Sequence, residues 1–201
     1  MLTDVWSIGT AIPLLLCSIA GLALVAERTC YFIRNKGIPA SVQLEVNQAI
    51  QARRLDDALC LVLKIKPFYL KALEVMVLEK DCPKSHRDEA VAIAMHYVSH
   101  GFKRRMSGIL TIASLAPMLG LLGTIIGLMR SFKDIGIHDG PVEPSIVADG
   151  LWQALSTTAA GLIIAVFCVL AHALLASRAR QLLSDCNYLL NKLSHEYEHY
   201  D

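Results

Sequence analysis

A chain of 201 residues that is 54% hydrophobic, only 6% aromatic and carries a formal net charge of +1 is not an ordinary soluble domain. Its positive mean hydropathy points to a membrane protein, and its near neutrality argues against nucleic-acid binding driven by global basicity. The six cysteines, Cys17, Cys30, Cys60, Cys82, Cys168 and Cys186, show no C-x-x-C spacing and read as reduced, packed side chains.

A bilayer core of roughly 30 Å requires about 20 apolar helical residues, and three runs meet that length. The first extends from about Val5 to Ala26 and ends at Glu27 and Arg28, with Tyr31 and Phe32 as expected interfacial anchors. No basic residue precedes it and Asp4 does, so it reads as a retained helix rather than a signal peptide. Residues 1–33 therefore form an N-terminal periplasmic end and transmembrane helix 1.

Residues 34–106 follow as an expected cytoplasmic helical domain. SVQLEVNQAIQARR, LDDALCLVLKIK and FYLKALEVMVLEK each place apolar residues at three- and four-residue spacing, separated by polar breaks or Pro67. A turn is predicted at 81–85, with Ser85 as N-cap and Asp88 in an acidic first turn. EAVAIAMHYVSHGFKRRM then runs without a breaker into the second span, which predicts one long helix crossing from cytoplasm to membrane.

Transmembrane helix 2 is expected over 107–132, a periplasmic loop over 133–149 and transmembrane helix 3 over 150–177. The loop holds one Lys against four acidic residues, with Gly and Pro turn signals. Residues 178–201 are amphipathic and extend the third helix. Basic clusters at Arg28, Arg34 and Lys36, at Lys103, Arg104 and Arg105, and at Arg178 and Arg180 all point inward by the positive-inside rule. The N-terminus is then periplasmic and the C-terminus cytoplasmic.

Small residues recur at helical spacing on the second span (Ala113, Ala116, Gly120, Gly123, Gly127, Ser131) and the third (Ala154, Thr158, Gly161, Ala165, Cys168, His172). Close packing explains the glycines at 120, 123, 127 and 161. Measured from outer ends near Arg130 and Gly150, Thr124 lies about 9 Å deep and Thr158 about 12 Å deep, which places both hydroxyls in nearly one layer as candidates for a shared pathway. Ser131, Gln153, Ser156, Thr157 and His172 are candidates for further polar contacts in the pore or between helices. His172 lies about 21 Å deeper than Thr158, near the cytoplasmic mouth. Between 107 and 129, and between 150 and 171, there is no Asp, Glu, Lys, Arg or His. Hydroxyls cannot carry the charge of a proton at neutral pH, so any proton carrier at mid-membrane must come from another chain.

IASLAPMLGLLGTIIGLMRSF (112–132) and IVADGLWQALSTTAAGLIIAV (146–166) resemble the ExbB/TolQ/MotA proton-channel family, most closely its ExbB and TolQ branch. The resemblance implies an all-α membrane protein of three transmembrane helices whose long helices extend into a helical cytoplasmic domain. It also implies a homopentamer in the bacterial inner membrane whose second and third helices line a pore. The implied partners are a single-span ExbD-like or TolR-like protein, which supplies a membrane Asp, and a TonB-like or TolA-like client, besides membrane lipids. The threonine of the family's G-T-x-x-G block falls on Thr124 and that of its A-L-x-x-T block on Thr158, the pore-lining positions. Where the ExbB and TolQ branch usually has glutamate before the A-L pair, this chain has Gln153, which cannot ionise.

Other readings are weaker. HEYEH (195–199) matches the H-E-x-x-H zinc pattern, but it stands near the end of this sequence with no evident third ligand, and His96 with His100 forms only another i,i+4 pair. No metal, cofactor or enzymatic activity is expected. A non-conducting scaffold assembled through small-residue faces remains an alternative, as does a TolQ-like role. A flagellar stator subunit is disfavoured, because those usually have four spans.

Overall fold

The computed structural model describes residues 2–34, 39–52, 54–65, 68–80, 82–137 and 144–198. All regular structure among the described residues is helical: α1 (Leu2–Arg34), α2 (Ala40–Gln51), α3 (Leu55–Ile65), α4 (Leu70–Leu78), α5 (Lys84–Ile137) and α6 (Pro144–Glu198). Helices α1, α5 and α6 each contain a window long and apolar enough to cross a membrane.

Helix α5 has 54 residues and α6 has 55, and both run past the ends expected from hydropathy alone. The expected loop at 133–149 is largely helical: α5 continues to Ile137 and α6 begins at Pro144, leaving 138–143 outside the described residues. Proline suits the first helical position, where its missing N–H costs no intrahelical bond. At the other end of α5, Ser85 is not the cap. The carbonyl of Pro83 receives the N–H groups of His86 and Arg87, so the helix starts at Lys84, two residues earlier than a Ser85 cap would give. Asp88 instead accepts a hydrogen bond from Ser194.

Two compact units emerge. One comprises Met1–Arg28 and Met106–Leu174; the other comprises Thr29–Arg105 and Leu175–Asp201. In the first, α1 packs on both long helices. Gly21 lets the Cys168 sulfur and Ile112 approach to 3.1 and 3.5 Å of the point where a Cβ would stand, and Leu24 lies 3.3 Å from the corresponding point on Gly108. The outer faces of these helices are apolar and open: Met118, Trp152, Ile163 and Leu174 are all at least 67% exposed. Contiguous apolar surface of this kind is stable against lipid or another subunit, not water.

The second unit has its own core. Val46 and Ile50 from α2, Ala58 and Val62 from α3, Leu73 and Met76 from α4, Met95 from α5, and Leu190 and Leu193 from α6 are all buried in one cluster. Tyr31 and Phe32 do not stand alone as interfacial anchors. They pack against Phe102 at centroid distances of 5.7 and 5.6 Å, and Phe68 meets the same ring at 5.3 Å.

A buried arginine fastens this unit. Arg87, 2% exposed, donates from Nε and Nη2 to Oγ and the carbonyl of Ser194, and from Nη1 to the carbonyl of Lys80. Its guanidinium also lies 5.6 Å from the Tyr197 ring centroid. The side chain thereby joins the α4–α5 turn to the last turns of α6, and Lys192 adds a 2.8 Å bond to Asn47 of α2. All six cysteines are free thiols, as expected, but Cys30 and Cys60 are exposed rather than packed.

Candidate functional site

The small-residue stripes of α5 and α6 meet one another. A Cβ built on Gly120 would stand 3.0 Å from Thr158 Cα, one on Gly127 would stand 2.8 Å from Ala154 Cβ, and one on Gly161 would stand 2.5 Å from the Ala116 carbonyl oxygen. Gly123 would collide with the Thr157 side chain, and Gly150 with Ser131 Oγ. Only glycine fits where backbone presses on backbone, and the series 116/161, 120/158, 127/154, 131/150 fixes an antiparallel register.

That register refines the depth argument. Thr158 lies opposite Gly120, whereas Thr124 is four residues further along α5, about 6 Å or one helical turn away. The two threonines are stepped rather than level. Thr158 is also held: its Oγ1 donates to the Gly120 carbonyl at 2.9 Å, across the helix pair.

Six other hydroxyls along this stretch also give their protons to main-chain carbonyls. Thr124 donates to Leu121 at 2.6 Å, Ser156 to Gln153 at 2.8 Å, Thr157 to Ala154 at 2.8 Å and Ser131 to Gly127 at 3.1 Å. Thr111 and Ser114 donate to Ser107 and Leu110. A hydroxyl has one proton and two lone pairs, so each of these oxygens retains the capacity to accept but not to donate. In this arrangement they can receive a bond from water, hydronium or a protonated carboxyl group.

At the far end of the stripe, Gln153 Oε1 accepts from Arg130 Nη1 at 3.4 Å, a long bond that ties the amide to α5. Ser131 is buried, Ser156 is exposed and Thr157 is half-buried. His172 is half-buried on α6, fourteen positions along the helix from Thr158 and well away from the threonine layer. Of the H-E-x-x-H pattern, His199 lies outside the described residues. His195 stands with Nδ1 3.4 Å from Lys84 Nζ. Sequence reasoning missed the Arg87 clasp, because S-H-R-D-E at a helix start reads as a solvated turn; burial is the only signal, and it is tertiary.

Comparison with known proteins identifies the family. Residues 63–187 match the MotA/TolQ/ExbB proton channel family, a span that includes both apposed stripes. The chain is 29% identical to the biopolymer transport protein exbB1 of Vibrio cholerae, over 89% of this chain and 80% of that one. It is 33% identical to an ExbB-like biopolymer transport protein of Synechocystis, over 84% of this chain and 67% of the other. The biopolymer transport protein ExbB of Neisseria meningitidis is 26% identical over 92% and 89% of the two chains. With the glycine-on-threonine pairing inside the matched span, and relatives alike over most of their length, this chain belongs to the MotA/TolQ/ExbB proton channel family.

Proposed function

We propose that the chain is an ExbB-like subunit of a proton channel in the bacterial inner membrane, which uses the proton motive force to energise TonB-dependent transport across the outer membrane. The observation that carries this reading is the chemistry of the α5/α6 stripe: acceptor oxygens at Thr124 and Thr158 on helices that bear no Asp, Glu, Lys, Arg or His between 107 and 129 or between 150 and 171. Such a lining stabilises a proton-bearing group without competing for its proton. The names of the relatives favour the ExbB branch over the TolQ branch.

In this reading five copies surround a dimer of a single-span ExbD-like protein, whose membrane aspartate takes up a proton from the periplasmic side and gives it up to the cytoplasmic side. Thr158, fixed by its bond to Gly120, accepts from the protonated carboxyl. Thr124, a turn nearer the periplasm, accepts earlier along the path. Each proton falling through about 100 mV releases roughly 2.3 kcal/mol, on the scale of the couplings that move two-state elements. The distribution of basic residues supports a periplasmic N-terminus, with Thr29–Arg105 and the last turns of α6 on the cytoplasmic side. The protein acts as a transport device, not an enzyme.

The test is proton flux into liposomes that hold the purified protein with and without its single-span partner. Flux should require the partner and should fall when Thr158 is replaced by Ala. Equal flux in all three samples would refute the channel, and a stable complex without flux would favour a scaffold.

A further inference from the structure

The turn between α4 and α5 brings three different donor atoms together. Glu79 Oε2 lies 3.1 Å from Cys82 Sγ and 3.5 Å from His86 Nδ1, and all three ligand atoms fall within 4.8 Å of one another. A tetrahedral Zn²⁺ holds thiolate at about 2.3 Å and imidazole or carboxylate at about 2.0–2.2 Å, so its ligand atoms stand roughly 3.3–3.8 Å apart. Two of the three edges here are already near that length. The third closes by side-chain rotation at the turn.

The backbone that carries these groups is held in place. Cys82 N–H bonds to the Glu79 carbonyl at 3.1 Å and His86 N–H to the Pro83 carbonyl at 2.9 Å. Arg87 Nη1 grips the intervening Lys80 carbonyl, so the buried clasp that organises the unit also fixes the turn. Glu79 and Cys82 are half-buried and His86 is exposed, which leaves a side open for entry and for a water as fourth ligand. Lys80 and Lys84 are close in sequence and oppose a cation, but Lys84 Nζ lies at His195 and Arg87 is turned inward to Ser194. A thiolate and a carboxylate supply the two negative charges that Zn²⁺ requires.

We propose that Glu79, Cys82 and His86 form a Zn²⁺ site with one open position. The S/N/O donor set suits zinc and disfavours magnesium or calcium, which take oxygen ligands. Bound metal clamps the end of α4 to the start of α5. The proposal is independent of proton conduction.

The experiment uses the full-length protein, purified in detergent without a polyhistidine tag, stripped with chelator and titrated with Co²⁺. One Co²⁺ per chain should bind with a thiolate-to-cobalt charge-transfer band, and Zn²⁺ should displace it. Cys82→Ser should abolish the band, while Glu79→Gln and His86→Ala should weaken binding at least about tenfold. His195→Ala and the His96→Ala/His100→Ala double variant should bind as the parent does. Each variant is scored only with the parent's elution profile and helix content, and Glu79→Gln, which preserves size, guards against misfolding of the others. Absence of a thiolate band in the parent would overturn the site, as would a band that survives Cys82→Ser or binding lost only with His195.

Discussion

Thr158 Oγ1 donates a hydrogen bond to the Gly120 carbonyl at 2.9 Å, across the α5/α6 contact, so a residue placed among the pore-lining candidates is also a strut between helices. Substitution tests both roles. Thr158→Val keeps the shape, removes one neutral hydrogen bond and should cost about 0.5–1.5 kcal/mol of stability. Loss of an acceptor worth a similar amount to a proton-bearing group should lower partner-dependent flux by about tenfold. Thr158→Ser should retain most of both. Denaturant titration and liposome flux on the same preparations give the comparison, and flux unchanged in the valine variant would remove Thr158 from the pathway.

Glycines differ by what surrounds them. A methyl group on Gly161 would press on the Ala116 carbonyl oxygen at 2.5 Å, and a backbone atom in a packed helix cannot step aside. Gly161→Ala should therefore destabilise by about 1–3 kcal/mol. Gly101 lies in α5 with nothing within 4 Å of its missing Cβ, and Gly101→Ala should stabilise by about 0.4–1 kcal/mol through the unfolded chain. Thermal unfolding followed by circular dichroism should rank the parent between the two.

The Arg87 clasp should behave as a unit. Ser194→Ala removes the acceptor of Arg87 Nε and the donor to Asp88, leaving the buried guanidinium and the half-buried carboxylate each short of a partner at a cost of about 1.5–3 kcal/mol. Arg87→Lys should cost at least as much, because an ammonium cannot span the Ser194 and Lys80 acceptors with a planar fork. Limited proteolysis should report this as early cleavage in the last turns of α6.

Alkaline pH should loosen the same helical unit. Burial, then the charge of Asp185, pushes the Cys186 thiol up from its ordinary 9.0. Burial, then Cys186 and Asp185, pushes the Tyr69 phenol up from 10.0. A pKa raised in the folded state means that the unfolded chain loses its proton first, so stability is whole below about pH 9 and falls as pH rises beyond it. Cys186→Ala and Tyr69→Phe should each flatten that decline in a series of unfolding curves. The Tyr69 hydroxyl is buried without a hydrogen-bond partner among the described residues, so the phenylalanine should be tolerated at neutral pH.

Much of this architecture was legible in periodicity. Apolar residues at three- and four-residue spacing give α2 to α4, and the lack of any breaker between Glu89 and Met106 gives an α5 that runs unbroken into an apolar span. Pairing was not legible to the same degree. Spacing placed Gly120, Gly123 and Gly127 on one face, but opposing Gly120 to Thr158 rather than bringing Thr124 level with it depends on how closely the two backbones approach. Ser85 looked like a cap because its side chain suits one, yet Pro83 supplies the carbonyl that starts the helix. The Glu79, Cys82 and His86 cluster has no recognised spacing; a turn makes it.

The hydroxyls whose hydrogens are turned onto main-chain carbonyls carry a last implication. Whatever approaches those side chains meets oxygen lone pairs and no donor hydrogen. Chloride or hydroxide would find nothing there to replace its hydration shell, whereas hydronium or an undissociated acid would. In the proposed pore such oxygens would favour hydrogen-bond-donating cations and acids over anions while carrying no formal charge.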